Sequence, residues 1–517
     1  MRKLSPVRPP ERFAPAALAL ALGACASASL TLAPPAPNVP WTPATRTDGE
    51  IIGGEAARAD APRSTGYLLP PNPQAAGSVA GSPPIDTTHR YTLPELIDLA
   101  ESHNPSTRMA WESARNAALA VGIAKAAYLP ALSASVVGAY QRGNTDLAAL
   151  GAHSDGDSSL RGSISTISAQ WLLFDFGERD GLVGVARQVS TIANIAFTAA
   201  HQQVIYQVSL AYYAHAAAVA RAATAQTALD NAKSIEAAAD ARQARGIGTL
   251  IEAAQAHQIT AQNTLMEIRA RSEVANTHMT LIAAVGLSPL VNLQIADVAH
   301  HKLSSALGVP IERIVGDALA RRPDVLSAYA AREASLSRLK AAKAEFLPKF
   351  FLSATGSYAS TGFDVTTLPG FGQQPSTINV VGNHWSGTIL LGVTVPLYDG
   401  GTRRALEDQA HADAARSGAA LERVRDEATR EVIAAGNNLK TSLAALEASD
   451  ALASASQITF DAALDAYREG VGSVTDVARS ESALLEARNA STDAYSAALT
   501  SAATLALSAG TLGAAPE

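Results

Sequence analysis

The sequence predicts an α+β membrane protein in which one long-helix motif is written twice, with too few strands per chain to close a barrel alone. Three observations predict this fold class. The chain repeats itself at nearly constant spacing, each copy holds a long proline-free stretch rich in alanine, and each copy holds strand-like alternation behind a secretory leader. Composition agrees. Of 517 residues, 47% are hydrophobic, 17% charged and 5% aromatic, against a usual charged share of about 25%. Such a chain buries many small contacts along extended surfaces better than it fills one compact core. Mean hydropathy is +0.07, apolar for so long a chain. A net charge of −7 (40 − 47) with no basic tract removes the electrostatic footing for a nucleic-acid groove. The 1 cysteine excludes a disulfide framework. No interior run of about 20 apolar residues occurs, which excludes a bundle of membrane helices.

Residues 1–24 read as a signal peptide. Arg2, Lys3, Arg8 and Arg12 precede the apolar stretch Phe13 to Gly23, which ends in Leu22-Gly23-Ala24-Cys25. A basic start, a short apolar core and small residues before a cut are the marks of export, and the stretch is too short to span a bilayer. Leu-Gly-Ala-Cys resembles a bacterial lipobox, in which the cysteine is lipidated and becomes the mature N-terminus. Cys25 is therefore the expected lipid anchor, held by burial of its acyl chains. The plain alternative is an incidental apolar residue in an ordinary cleaved leader. Residues 25–90, with Pro34-Pro35-Ala36-Pro37 and Pro70-Pro71, read as a lipidated tether.

The repeat shows in offsets. Pro105 and Pro323 differ by 218, as do Pro130 and Pro348; Asp175 and Asp399 differ by 224, as do Gly246 and Gly470, Glu252 and Asp476, and Gly286 and Gly510. One step of 6 (224 − 218), between Pro348 and Tyr398, marks an insertion confined to a loop. Repeat 1 is assigned to 91–300, repeat 2 to 301–512, and a tail to 513–517.

Each copy has the same order: helix, two strands, long helix, helix. Thr92-Leu93-Pro94-Glu95 is a capping box, and a helical pattern runs from it to about Tyr128, where Pro130 ends it. Strand-like stretches follow at Val136–Tyr140 and Ser165–Leu173, and in copy two at Phe350–Tyr358 and Trp385–Leu397. In the last, Trp385, Ile389, Leu391, Val393 and Leu397 alternate with Ser386, Thr388 and Thr394. Period alone fits a half-buried strand in a soluble sandwich; the leader favours strands with one face toward lipid. Asp180 to Gly246 then runs 67 residues without proline, or roughly 100 Å as a helix. Thr402 to Glu469 repeats it. Gly246-Ile247-Gly248 and Gly470-Val471-Gly472 reverse the chain into a last helix reaching Gly286 and Gly510.

Four strands cannot close a transmembrane barrel, since about 8 is the smallest count in a single chain. An open edge in lipid costs several kcal/mol per unpaired group. Strands in a membrane therefore require several chains. Residues from about Tyr91 to Leu512 resemble the TolC-like outer-membrane efflux proteins, in particular the lipoprotein branch serving resistance-nodulation-division pumps. The matching residues are Asn104-Pro105, Leu129-Pro130, Arg321-Arg322-Pro323-Asp324-Val325, Val395-Pro396-Leu397-Tyr398-Asp399-Gly400-Gly401, and Tyr467 through Val477. The resemblance implies a homotrimer with a 12-strand barrel and a long α-helical periplasmic barrel. Its partners would be a periplasmic adaptor, an inner-membrane transporter and outer-membrane lipid, with no nucleic acid. It also implies a lipid-anchored outer-membrane location, a covalent N-terminal lipid, and no other cofactor.

Acidic residues after each hairpin turn line the narrow periplasmic entrance in that family, and the matching positions are Glu252 and Asp476. Stacked as rings, such carboxylates attract cations. They are equally explained as helix N-terminal acids, worth about 0.3–1 kcal/mol each. Tyr467 matches a tyrosine of the entrance constriction, and Gln243 stands at its place in copy one. Gly472 and Arg479 depart from the family pattern, which has a base in the turn and a further carboxylate, so the constriction network must differ. The turns Gly246, Ile247, Gly248 and Gly470, Val471, Gly472 are the expected adaptor-docking surface, or simply tight turns.

No catalytic residue and no metal site is read. His-Glu-x-x-His, Walker A and Gly-x-Ser-x-Gly are absent. Ser337-Arg338-Leu339-Lys340 lies in an amphipathic helix without companions. Asp155-Gly156-Asp157 resembles a weak calcium pattern but reads as a solvated extracellular loop, and His300-His301 as surface. The expected function is a passive exit duct for drugs or other small molecules. The alternatives are a duct for type I protein secretion or metal export, or a non-conducting coiled-coil envelope lipoprotein.

Overall fold

A polypeptide with no proline for most of seventy residues has no chemical reason to leave the helix, and here it does not. The computed structural model describes residues 85–144, 157–296, 310–360, 363–367, 376–380 and 385–513, with residue 303 and short pieces between 33 and 72. Residues 1–24, Cys25, Asp155-Gly156 and His300-His301 lie outside the described residues. The chain divides into two units, 1–86 and 87–517. In the first, β1 (Pro43–Thr45) pairs antiparallel with β2 (Ile51–Ala56).

The second unit opens with β3 (Arg90–Tyr91), α1 (Leu93–His103) and α2 (Pro105–Ala126). The single helix expected here is two, because Pro105 has no N–H to give and forces Asn104 into extended backbone. Asn104 then caps α2 by accepting from Ser106 N at 2.9 Å. Next come β4 (Ala131–Asn144), β5 (Asp157–Phe174), α3 (Glu178–Ala244), α4 (Leu250–Val285) and β6 (Gln294–Ile295). The order then recurs as α5 (Ile311–Arg321), α6 (Pro323–Ala344), β7 (Lys349–Ala359), β10 (Trp385–Thr394), α7 (Thr402–Arg468) and α8 (Val474–Ser508). A small hairpin, β8 (Phe363–Thr367) with β9 (Ser376–Val380), sits between β7 and β10. That is the segment where the offset had stepped.

α3 and α7 are each 67 residues long, about 100 Å at the usual rise. α3 lies against α4, α6, α2 and α8, and α7 against α8, α6 and α5. Small side chains make this approach possible. A methyl group added to Gly181 would stand 2.7 Å from the backbone N of Ala341, so α3 and α6 touch there as no larger residue allows. Among the described residues no helix is long and apolar enough to cross a membrane.

The strands form one antiparallel sheet in the order β10-β7-β5-β4. Its register sorts the two faces. Ser133, Ser168, Thr355 and Thr388 lie side by side across all four strands, and so do Ser135, Thr166, Ser357 and Ser386. Their hydroxyls bond across strands, Ser133 to Ser168 at 2.7 Å and Ser357 to Ser386 at 2.9 Å. The opposite face carries Leu132, Ile167, Trp171, Leu391 and Ile389, all exposed, with Ile389 at 76%. Exposed apolar area of this extent on one face needs a partner surface. Among the described residues the outer strands β4 and β10 are the ends of this sheet, each with a single strand neighbour in it.

Candidate functional site

The far ends of the two helix hairpins share one construction. Gly246 takes φ +73° and Gly470 φ +82°, a left-handed geometry that any side chain would strain. After them, Ile247 N and Gly248 N donate to Arg242 O at 3.1 and 3.0 Å, and Val471 N and Gly472 N donate to Ala466 O at 3.0 and 2.9 Å. These bonds satisfy carbonyls that a helix C-terminus leaves open. Gly248 and Gly472 are held by contact, since an added methyl would come 2.9 Å from the N of Gln243 or of Tyr467. The tips themselves are apolar and exposed: Val471 is 85% accessible, and Ile247, Leu250 and Ile251 are also exposed.

Glu252 and Asp476 occupy the first turns of α4 and α8. Glu252 accepts from Thr249 N at 3.1 Å while Thr249 Oγ1 accepts from Glu252 N at 3.2 Å. Ser473 Oγ donates to Asp476 Oδ2 at 2.7 Å and accepts from Asp476 N at 3.2 Å. Glu252 thus closes a capping box, whereas Asp476 pairs with the hydroxyl of its N-cap serine.

Tyr467 is 1% exposed, and its hydroxyl has no hydrogen-bond partner among the described residues. It sits in an apolar cluster where both hairpins meet: Ile235 and Ala239 from α3, Phe460 from α7, Val477 and Leu484 from α8. The guanidinium of Arg242 lies 5.4 Å from the centre of its ring, a cation–π contact from copy one to copy two. Burial raises the Tyr467 phenol above its ordinary range, and Arg242 opposes that while Glu252 reinforces it. The structure therefore brings Glu252, Arg242 and Tyr467 into one electrostatic neighbourhood, while Gln243, the sequence counterpart of Tyr467, is exposed. Arg242 was not legible as a partner. Its only sequence signal is a basic residue in the last turn of α3.

A second arrangement joins the sheet to the long helices. Asp175 Oδ2 accepts from Arg179 N at 3.0 Å and Arg179 Nε at 2.8 Å, and Arg179 also donates to the carbonyls of Ala127 and Leu172 at 3.0 and 2.6 Å. Copy two repeats it, with Asp399 accepting from Arg403 N and Nε at 2.9 Å each. Backbone N–H donors, Arg403 first, hold the Asp399 carboxyl below its usual range. Here the signal was present in the sequence as Asp-x-x-x-Arg at both junctions.

The exposed apolar tips and the capped acids beside them are compatible with conduction. The model of the family described as outer membrane efflux protein matches residues 96–287 and 314–511, more than half of the chain. Protein CyaE of Bordetella pertussis is 27% identical over 446 residues, 84% of this chain and 87% of its own length. Outer membrane protein OprJ of Pseudomonas aeruginosa is 28% identical over 385 residues, 73% and 75% of the two chains. The Campylobacter jejuni CmeC outer membrane channel superposes with a TM-score of 0.68 at 18% identity, covering 81% of this chain and 85% of its own. Hairpins, sheet and family match point to one conclusion: the chain belongs to the outer membrane efflux protein family.

Proposed function

We propose that the chain is the outer-membrane channel of a tripartite efflux system, a passive exit duct for drugs or other small molecules. The two-faced sheet carries this reading most directly. Its hydroxyl face suits a water-filled lumen and its Leu/Ile/Trp face suits lipid. With 4 strands per chain, three chains supply 3 × 4 = 12 strands, and β4 of one copy can pair with β10 of the next. Exposed Met109, Trp111, Leu119 and Ile123 along α2 offer apolar surface to a neighbouring copy. The long helices then continue the pore through the periplasm as a tube. Purified protein in mild detergent is expected to be a trimer and to conduct ions in a planar bilayer. A monomer, or a trimer without conductance, overturns the reading.

The hairpin tips are the periplasmic entrance in this reading, and their apolar turns are where an adaptor docks before an inner-membrane transporter feeds the duct. Three copies place Glu252 and Asp476 as carboxylate rings, and Arg242 supplies at Tyr467 the positive charge that Gly472 lacks. Replacing Glu252→Gln and Asp476→Asn together is expected to lower cation over anion selectivity in single-channel recordings; unchanged reversal potentials would remove the ring assignment. Cys25 anchors the chain by a thioether-linked diacylglycerol and an N-acyl chain. Intact mass of the mature protein is expected to show both additions, and a mass fitting an unmodified N-terminus excludes them.

A further inference from the structure

Near the tip of the first hairpin, three side chains form a group that the entrance does not use. Glu236 and Asp240 stand one turn apart on α3 and so share a face. After the reversal at Gly246, α4 brings His257 back to them. The imidazole sits between the two carboxylates, Nδ1 at 2.7 Å from Glu236 Oε1 and Nε2 at 3.3 Å from Asp240 Oδ1. One ligand atom from each residue lies within 4.8 Å of the others. We propose that Glu236, Asp240 and His257 form a binding site for a divalent transition-metal ion that fastens α3 to α4.

Donor chemistry selects the ligand. One imidazole nitrogen with two carboxylate oxygens suits zinc, cobalt or nickel, whereas calcium or magnesium would be held by oxygens alone. Three protein ligands leave one tetrahedral position for water. Metal–ligand bonds of about 2.0–2.2 Å require the side chains to rotate toward one imidazole nitrogen, and those of His257 and Asp240 are half exposed.

The repeat supplies an independent comparison. At the offset of 224, the counterparts of Glu236, Asp240 and His257 are Phe460, Leu464 and Glu481. Phe460 is buried in the apolar cluster, and Leu464 packs against it. The second hairpin therefore closes with apolar side chains where copy one has its two carboxylates, and with Glu481 where copy one has its imidazole, so copy two lacks the donor set that copy one brings together. A sequence scan misses the set because its members meet only across the turn.

The test uses the full chain in detergent, without a polyhistidine tag, titrated with cobalt(II) and followed by its visible absorption. The expected result is one cobalt per chain. His257→Ala is expected to weaken binding by at least about tenfold, as is the Glu236→Gln/Asp240→Asn pair, while His103→Ala leaves it unchanged. Zinc should compete the cobalt signal and raise the thermal midpoint of wild type but not of His257→Ala. Absence of saturable binding up to roughly 100 μM metal overturns the proposal, since a preformed three-ligand site fills below that. So does His257→Ala titrating as wild type does. If His257→Ala loses helicity, the carboxylate pair variant, which keeps the imidazole, decides alone.

Discussion

Glu481 is the residue whose chemistry fits its surroundings least. It lies on α8 between Val477 and Leu484, is 4% exposed, and its Oε1 has no hydrogen-bond partner among the described residues. Burial alone pushes its carboxyl up to about 7 from 4.5, because a charge there would lose water and gain nothing in return. The folded state consequently holds its proton more tightly than the unfolded chain does. The stabilising contribution is complete below the unfolded value near 4.5 and is lost as pH rises through about 7. Glu481→Gln cannot ionise and escapes that loss. In detergent at pH 8 the variant is expected to be more stable than wild type by about 2 kcal/mol, allowing for residual solvent screening. The gain should shrink steadily as pH falls to 5, read by thermal melts of the helical signal. A difference that does not change with pH would show that Glu481 is solvated or paired in the assembled protein.

Among the elements, those most legible in the sequence were the ones written as long uninterrupted patterns. The span expected from Asp180 to Gly246 appears as Glu178–Ala244, and the second from Thr402 to Glu469 as Thr402–Arg468. Both long helices start after a glycine, Gly177 or Gly401, and stop two residues before another, Gly246 or Gly470, so these limits could be read within a few residues. The strands were legible in place but not in length. β4 and β5 run 14 and 18 residues, well beyond the short stretches of clean alternation, because glycine, serine and alanine blur a period that cross-strand pairing still enforces. At the tips, the turns and their acids could be read from residue type alone, whereas Arg242 over Tyr467 and His257 between Glu236 and Asp240 could not. Those contacts join residues 225 and 17–21 positions apart (467 − 242; 257 − 240 and 257 − 236), and only the way the hairpins meet selects them. The break at Asn104 was half legible. Pro105 announces it, yet what fixes it is Asn104 Nδ2 donating to Ala284 O at 3.0 Å from another helix. In copy two Arg322 takes the same place and donates to Ser508 O at 3.0 Å, so two different residue types perform one joint.

For the whole molecule, the decisive property is that a single chain leaves its sheet incomplete and one of its faces bare. Exposed Leu132, Ile167, Ile389 and Leu391 would be a liability on a solitary soluble protein, and the two end strands invite further pairing. In the proposed trimer, lipid on the bare face and neighbouring copies at the edges would resolve both at once. The two faces of β10 should then differ sharply in what they tolerate. If the proposed trimer holds, Ile389→Arg places a guanidinium in the apolar band and is expected to cost about 2–4 kcal/mol per chain near the bilayer midplane, enough to keep the protein out of the outer membrane. Thr388→Arg, one residue away, lies in the hydroxyl row with Ser133, Ser168 and Thr355. It should assemble, reach the outer-membrane fraction and reduce cation conductance, because in the proposed trimer its charge would enter the lumen. Fractionation and heat-modifiability on gels read assembly, and bilayer recordings read conductance. Equal assembly of the two variants would mean that neither face meets lipid, and the helices would then have to act as a spacer without a pore.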